Sequence, residues 1–350
     1  MAALSLVKDD RYKEHNAGEG HPESLHRLTV IHELIDAEFS ELPLIPPRLA
    51  TKDELALIHD KKYIDMVART EGRQFSRIDM DTGLSARSYE IARLAAGGLL
   101  EAVDTIVRSS PSASGDSANA AFAFVRPPGH HAEPAVGMGF CLFNNVAIAA
   151  EYAKRKHGLK RILIIDWDLH HGNGTQRAFY TDPSVLFFSS HQYPHYPGTG
   201  NFDEAGNNEG EGFTVNAPVP SGFGDAEYIP LYEQVLRPIA LEYKPELVLV
   251  SAGFDPYIKD PLGGIQVTGE GFGDLAAIVL DIARTTCAGN VLFTLEGGYN
   301  PEGLRNGVRA VLNVLLGKSL HRSDPAPSPA AQNVIDRIIA THRKYWKSLG

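Results

Sequence analysis

The segment DWDLHHGNG, at residues 166–174, places two acidic residues and two histidines close together. Asp168 and His170 are two positions apart, so in an extended backbone their side chains project to the same side and can bind one metal ion. A catalytic divalent site needs three protein ligands and an open position for water. Asp255, which ends another predicted strand, is the natural third ligand.

Two residues of the same segment could support the metal site without binding the ion. Asp166 lies one strand period before Asp168 and could orient a histidine through a hydrogen bond. Asn173 could do the same more weakly, because its amide is neutral. Carboxylate-rich sites suit Mn(II), Fe(II) or Co(II) as well as zinc, so these residues alone leave the metal open.

Two further segments, PPGHH and EGGY, could supply acid–base and oxyanion chemistry. His130 and His131 follow two prolines and a glycine, and a rigid turn that presents two imidazoles suits proton transfer on a metal-activated water. Tyr299 follows Gly297 and Gly298, and its phenol could donate to a developing oxyanion. The simpler alternatives are a buried histidine pair bonded to carbonyls and an ordinary core tyrosine.

The elements that must position these groups are short apolar runs bounded by glycine, proline or polar residues. Such runs predict buried parallel strands, and helical spacing between them predicts a doubly wound α/β sheet. The predicted strands are Ala121–Arg126, Arg161–Asp166, Ser184–Ser189, Leu247–Gly253 and Val291–Leu295. The predicted helices are Asn144–Lys156, Ala226–Glu242 and Gly271–Thr285. Because ligands bind beyond the carboxyl ends of such strands, we expect one site at that edge, near His130, Asp168, His191, Asp255 and Tyr299.

Neither of two linker-like segments divides the chain. Ser109–Ser117 is a serine-rich loop, and Arg322–Ala331 is a proline-rich linker before a last helix near Asn333–Trp346. We therefore predict a single domain over residues 1–350, with its core at about residues 10–317.

Composition narrows the possible partners. The 350 residues carry a formal net charge of −10, which argues against a nucleic-acid binder but permits a cationic substrate. Two cysteines form no disulfide framework and exclude a Cys2His2 zinc finger. No signal peptide or apolar run of membrane-spanning length is present, so we expect a cytoplasmic protein that binds neither membrane nor nucleic acid.

Several long segments together resemble the histone deacetylase family, including its bacterial deacetylase-like and acetylpolyamine amidohydrolase members. They are HPESLHRL (His21–Leu28), RPPGHH (Arg126–His131), GFCLFNNVAIAA (Gly139–Ala150), IIDWDLHHGNGTQ (Ile164–Gln176), SAGFDPYIKDPLGG (Ser251–Gly264) and LEGGYN (Leu295–Asn300). The GNGTQ and EGGYN variants look more like the class II branch. The resemblance implies a single-domain arginase–deacetylase fold with a mostly parallel, eight-stranded sheet flanked by helices.

The resemblance also implies a role for each matching residue. Asp168, His170 and Asp255 would bind zinc, His131 would act as general base and then acid beside His130, and Tyr299 would polarise the scissile carbonyl. Substrate would contact the aromatic walls Phe140 and Tyr196, with Gly139 beside them. It would also contact Leu262 and Gly298, Arg27 at the foot of the tunnel, and Asp81 at its rim. One potassium ion would use Asp166, Asp168, His170, Ser189 and Ser190, and a second would use carbonyls of Phe179, Asp182, Val185 and Phe213.

The implied activity is zinc-dependent hydrolysis of the N6-acyl amide of lysine in proteins or peptides. The first alternative is an acetylpolyamine amidohydrolase, although one polyamine-specific branch carries a glutamate where this chain has Leu262. A remoter alternative is a non-catalytic acyl-lysine binder, whose expected loss of a ligand or of Tyr299 is not seen. A ureohydrolase-type enzyme would want a second metal. The acyl group, the native metal and the oligomeric state stay open.

Overall fold

A parallel sheet forms the centre of the computed structural model, which describes residues 3–108, 119–318 and 325–350. In chain order the strands are β1 (Ala3–Val7), β2 (Phe75–Arg77), β3 (Gly83–Ser85), β4 (Asn119–Ala123), β5 (Ile162–Asp166), β6 (Val185–Gln192), β7 (Thr214–Val219), β8 (Leu247–Ala252) and β9 (Val291–Leu295). The main sheet has the order β1-β4-β9-β8-β5-β6-β7, and all its pairs are parallel. Strands β2 and β3 form a separate antiparallel pair.

Helices cover both faces of this sheet, as its parallel connections require. They are α1 (Leu25–Glu38), α2 (Lys52–Leu55), α3 (Lys61–Ala68), α4 (Ser88–Arg108), α5 (Asn145–His157), α6 (Asn173–Phe179), α7 (Asp225–Leu231), α8 (Arg237–Tyr243), α9 (Gly269–Cys287), α10 (Pro301–Leu315) and α11 (Pro329–His342). In the part of the chain that the structure describes, no helix is long and apolar enough to cross a membrane.

All five predicted strands are confirmed, and their ends shift by at most a few residues. The expected count of eight strands is wrong for the described residues, since the main sheet has seven. Two of these seven were not predicted from the sequence. β1 is short and close to the N-terminus, and β7 contains Pro218, which an edge strand tolerates because one side of its backbone has no partner strand.

The predicted helix over Ala226–Glu242 is helical throughout most of its length, but its α-helical hydrogen bonding is interrupted in the middle. A π-helical turn at Tyr232–Leu236 separates α7 from α8. Pro230 and Pro238 flank this turn, and neither can donate an amide to the carbonyl four residues earlier. The widened turn lies where proline breaks the regular bonding pattern.

The C-terminal segment packs back onto the domain. The predicted linker falls partly outside the described residues, and α11 begins at Pro329, where the hydroxyl of Ser328 accepts the amide of Ala331. Beyond α11, Trp346 donates its indole N–H to the carbonyl of Gly212 at 2.9 Å. The predicted serine-rich loop at residues 109–117 lies outside the described residues.

A buried ion pair joins the N-terminal segment to the end of β4. Glu23 and Arg126 are both fully enclosed, and two guanidinium nitrogens of Arg126 donate to the Glu23 carboxylate, one of them at 2.6 Å. Arg126 also donates to the carbonyls of Tyr12 and His15 at 3.2 Å each. Burial opposes the charge of Glu23, but Arg126 outweighs burial and lowers the pKa of this carboxyl well below its usual value.

We predict that Glu23→Gln lowers the free energy of unfolding by about 3–5 kcal/mol, because it leaves the guanidinium of Arg126 buried without a counter-charge. The measurement is equilibrium urea denaturation. Asp281→Asn, which breaks a half-exposed pair with Arg237, is the control and should cost about 1 kcal/mol or less. Equal, small losses in both variants would contradict the importance of the buried pair.

Candidate active site

The sheet has a switch point between β5 and β8. From β5 the chain continues to β6 and β7 on one side, and it then returns to β8 and β9 on the other. The crevice beyond the carboxyl ends of strands at such a point is the usual ligand site of an open α/β sheet. β5 leads directly into Asp168 and His170, and β8 leads into Asp255.

Three predicted metal ligands meet in this crevice. Asp168, His170 and Asp255 are buried and bring one ligand atom each to within 4.8 Å of one another. Nδ1 of His170 lies 3.2 Å from Oδ1 of Asp168 and 3.1 Å from Oδ2 of Asp255. Burial alone would lower the pKa of His170, but these carboxylates outweigh it and raise that pKa to about 9. A donor set that attracts positive charge so strongly fits a divalent cation.

The backbone approaches these carboxylates closely at Gly297. Its amide donates to Oδ2 of Asp168 at 2.7 Å, and the amide of Leu169 donates to Oδ1 of Asp255 at 3.0 Å. A Cβ atom on Gly297 would lie 2.2 Å from Oδ2 of Asp255 and 2.5 Å from Oδ2 of Asp168. Only glycine fits here, which explains the first glycine of the EGGY segment.

A second buried group, formed by His130, Cys141 and Glu296, also has ligand atoms within 4.8 Å of one another. The oxygens of Glu296 already accept the amides of Gly129 at 2.7 Å and His130 at 3.2 Å and the hydroxyl of Ser251 at 3.1 Å. Burial raises the pKa of Glu296 to about 7. This carboxyl group therefore fixes the turn that carries the histidine pair, and it is less suited to a metal.

The paired histidines have different hydrogen-bond partners. Their ring centroids are 3.9 Å apart. His130 Nδ1 lies 3.0 Å from Oδ2 of Asp166, whereas His131 Nδ1 lies 2.8 Å from Oδ1 of Asn173. Burial opposes a charge on His130, but Asp168 and Asp166 outweigh it and raise its pKa to about 10. Burial, together with His130 and His170, lowers the pKa of His131 well below its usual value.

Tyr299 lines the same pocket. Arg27 lies beneath it, with the guanidinium carbon 5.0 Å from the centre of the phenol ring. Arg27 also donates to the carbonyl of Gly298 at 2.6 Å and to that of Glu296. Burial raises the pKa of Tyr299 well above its usual value, so the phenol keeps its proton and can donate it.

These groups line a pocket of about 270 Å³. Phe140 and Tyr196 form part of its wall: the Phe140 ring lies 6.0 Å from that of Tyr299, and the Tyr196 ring lies 5.2 Å from that of His131. The remaining lining residues are Asp81, Pro128, His130, Gly139, His170, His195, Leu262 and Gly297. A larger groove of about 570 Å³ lies between α9 and α10, but the described residues that line it include no histidine, cysteine or tyrosine.

Gly139 and Phe140 adopt an unusual backbone conformation beside the histidine pair. Both have positive φ, 56° and 69°. A Cβ atom on Gly139 would lie 2.4 Å from the ring of His131. The amide of Phe140 donates to the hydroxyl of Thr82 at 3.1 Å, so the loop that carries Asp81 helps to hold this wall.

The residues predicted for potassium lie outside the pocket wall, apart from His170. Asp166 and Ser189 are aligned on neighbouring strands, and both are buried. The hydroxyl of Ser189 lies 2.9 Å from Nδ1 of His191, and that of Ser190 lies 2.8 Å from the hydroxyl of Tyr232. In the second set, the carbonyls of Phe179, Asp182 and Phe213 each accept a backbone amide, which leaves one lone pair free on each. Val185 begins β6 beside them.

Some site residues were not predicted from the sequence. His195 lines the pocket, where it stacks on His170 at a centroid distance of 5.2 Å, and Asp260 holds the amide of Tyr299 at 2.7 Å. Both lie in loops that lack strand periodicity. His195 falls between the segments that carry the family resemblance, and Asp260 falls inside one of them, Ser251–Gly264, where no feature of its own marked it. His191 was expected at the site, but it is buried behind it, bonded to Ser189 and to the carbonyl of Gly200 at 2.9 Å.

Comparison with known proteins agrees with this geometry. Residues 21–315 match the histone deacetylase domain. The chain is 34% identical to a probable deacetylase of Archaeoglobus fulgidus over an alignment that covers 98% of each protein. It is 41% identical to the polyamine deacetylase HDAC10 of Homo sapiens, over 86% of this chain and 46% of that protein.

The architecture also has a similar solved counterpart. The crystal structure of the HDA15 HD domain superposes with a TM-score of 0.91 at 37% identity, covering 99% of this chain and 96% of that one. Together with the domain match over most of the chain, this likeness extends well beyond the metal ligands. The chain belongs to the histone deacetylase family.

Proposed function

We propose that this chain hydrolyses the N6-acetyl amide of lysine in peptides or proteins and releases acetate and the free lysine amine. The observation that carries the proposal is the meeting of a two-carboxylate, one-histidine cluster, a histidine pair and a tyrosine around one aromatic-walled pocket. Zinc is the proposed ion at Asp168, His170 and Asp255, with Fe(II) as the alternative. When bound, a divalent ion supplies Lewis-acid chemistry, because it polarises an acyl oxygen and lowers the pKa of water.

The shape of the pocket suits an extended aliphatic chain that ends in an amide. Phe140 and Tyr196 provide apolar faces for the methylene groups, and Gly139 keeps the wall thin beside His131. Asp81, which lines the pocket, is the residue that we assign to the rim and to the backbone N–H groups of a peptide. Arg27 and Gly298 are assigned to the inner end, because Arg27 lies against the ring of Tyr299 and donates to the carbonyl of Gly298.

His131 is the proposed general base and then the general acid. Asn173 donates its amide N–H to Glu133 at 3.0 Å, which turns its oxygen toward Nδ1 of His131. That oxygen can only accept, so Nδ1 carries the proton and Nε2 is free to take one from the attacking water. The same Nε2 proton then goes to the leaving nitrogen of lysine. His130, bonded to the carboxylate of Asp166, provides the neighbouring positive charge.

Tyr299 is the proposed donor to the oxyanion. Tyr299 lines the pocket together with the histidine pair, and the backbone around it is bonded by Arg27 and Asp260. A donor held in place before the reaction stabilises the developing charge without reorganisation. Because Tyr299 and every proposed metal ligand are present, catalysis is favoured over mere binding of acyl-lysine.

Two structural potassium ions remain part of the proposal. The first would use the aligned residues Asp166 and Ser189 with carbonyls of Asp168, His170 and Ser190, close behind the metal cluster. The second would use carbonyls of Phe179, Asp182, Val185 and Phe213. Support comes from the lone pair left on the carbonyls of Phe179, Asp182 and Phe213 and from the pairing of Asp166 with Ser189 across β5 and β6.

We also propose a cytoplasmic location. Cys141 and Cys287 are both free and buried, as expected of a protein from a reducing compartment.

We predict that Tyr299→Phe lowers kcat on an acetyl-lysine peptide about a hundredfold or more, because loss of one oxyanion donor typically costs about that factor. Release of the free amine from the peptide measures the rate. Tyr12→Phe is the matched control: its buried hydroxyl donates to the carbonyl of Leu94 in α4 at 3.2 Å, and Tyr12 does not line the pocket, so its turnover should stay at the wild-type value. Undiminished turnover in Tyr299→Phe would remove this residue from its proposed role.

Acetylated polyamines are the second candidate substrate, because one relative is a polyamine deacetylase and the chain is acidic. Leu262 argues against them, since it lines the pocket without a charge that could attract a distant ammonium group. We predict a higher kcat/KM on an acetyl-lysine peptide than on N-acetylputrescine. Leu262→Glu should raise kcat/KM for the polyamine about tenfold, which corresponds to roughly 1.4 kcal/mol, while the uncharged control Leu262→Gln should not. A strong polyamine preference in the wild type would reverse the choice of substrate.

A further inference from the structure

Asp260 holds the main chain of the catalytic tyrosine from a different loop. It lies five residues after Asp255, and only 7% of its surface is exposed. We propose that Asp260 is a positioning residue that fixes Tyr299 and joins it to the pocket wall at Leu262. This inference rests on the function proposed above, because it assigns the way in which Tyr299 is aimed.

The carboxylate of Asp260 makes three hydrogen bonds to backbone amides. Oδ2 accepts from Tyr299 at 2.7 Å and from Asn300 at 3.1 Å, and Oδ1 accepts from Leu262 at 3.0 Å. Both oxygens of Asp260 act only as acceptors in these three bonds. One side chain therefore ties two loops to each other at the point where both reach the pocket.

The other bonds of the tyrosine loop stop short of Tyr299. Arg27 donates to the carbonyls of Glu296 and Gly298. Gly297 accepts the amide of Phe254 at its carbonyl, at 3.0 Å, and donates its own amide to Asp168. Gly298 has a φ of 113°, a conformation that glycine adopts without cost but that nothing in its own side chain enforces. The direction of the chain after Gly298 therefore depends on the bonds from Asp260 to the next two amides and on the bond that the side chain of Asn300 donates to the carbonyl of Lys259 at 2.8 Å.

Asp260 is not needed to begin the following helix. Asn300 caps α10, because its Oδ1 accepts the amides of Glu302 at 2.9 Å and Gly303 at 3.1 Å. The amide of Asn300 itself precedes the helix and belongs to the tyrosine loop. The bonds from Asp260 thus position the tyrosine loop, whereas Asn300 provides the N-cap of the helix.

The second oxygen of Asp260 extends this hold to the substrate wall. Leu262 lines the pocket, and its carbonyl lies 3.1 Å from Nε2 of His195, whose ring stacks on the metal ligand His170. A substrate side chain that packs against Leu262 therefore contacts a segment whose backbone is bonded to the same carboxylate as the backbone of Tyr299. The shared carboxylate couples the packing of substrate against Leu262 to the position of the Tyr299 hydroxyl.

Asp260→Asn is the variant that tests the proposal. The amide has nearly the same size as the carboxylate, but its NH₂ group would face a backbone N–H and lose a bond. We expect kcat on an acetyl-lysine peptide to fall about tenfold or more, with KM changed less than about threefold, since a misplaced group costs the transition state most. Asp225→Asn is the matched control, because Asp225 also accepts a backbone amide and a hydroxyl from Thr268, far from the pocket. It should leave kcat unchanged.

A double-variant comparison separates positioning from a general loss of structure. If Asp260 acts through the hydroxyl of Tyr299, Asp260→Asn should lower kcat less than about threefold when Tyr299→Phe is already present. Equal losses in the two backgrounds would overturn the proposal, because Asp260 would then act independently of that hydroxyl.

Hydrogen–deuterium exchange provides a readout that does not depend on turnover. In Asp260→Ala, which removes all three bonds, peptides that contain residues 299–300 and 262 should exchange about tenfold faster, while Asp225→Ala should leave both peptides unchanged. Unaltered exchange in Asp260→Ala would contradict the proposal. If the wild type hydrolysed neither acetyl-lysine nor acetylpolyamine, the proposed function would fall, and exchange would still decide whether Asp260 holds the loop.

Discussion

Three carboxylates buried at one switch point constrain everything around them. Asp166, Asp168 and Asp255 are enclosed within a few residues of the ends of β5 and β8, where water cannot screen their charges. Burying like charges together is strongly unfavourable unless cations and hydrogen-bond donors surround them. The structure supplies donors through His130 and through backbone amides that point inward, and the metal ion proposed at Asp168, His170 and Asp255 would supply a cation.

This constraint also accounts for the different environments of the two imidazoles. Asp168 and Asp166 raise the pKa of His130, whereas burial, together with His130 and His170, lowers the pKa of His131, which is bonded to a neutral amide. Titratable groups whose surroundings separate their pKa values are the usual acid–base partners in enzymes. Two histidines that are adjacent in the chain thus differ in pKa because their hydrogen-bond partners and charged neighbours differ.

Much of this site could be predicted from the sequence, because its reactive side chains directly follow buried strands. β5 and β8 are continuous apolar runs, so Asp168, His170 and Asp255 could be placed at one edge without a structure. The partners of these residues were harder to find. Asp260 and His195 lie in irregular loops, and Asp260 acts on backbone amides, which leave no trace in residue types. Strand β7 was missed for a related reason, since Pro218 disfavours an interior strand.

The most direct test of the account is a metal titration of chelator-treated protein, in which bound ion and hydrolysis of an acetyl-lysine peptide are followed together. The account predicts that turnover returns in proportion to one tightly bound ion per chain. It also predicts that Asp255→Ala, which removes one of three ligands, binds the ion at least about tenfold more weakly. Full turnover in protein shown to hold no ion, or unchanged affinity in Asp255→Ala, would contradict the assignment of this cluster as the metal centre.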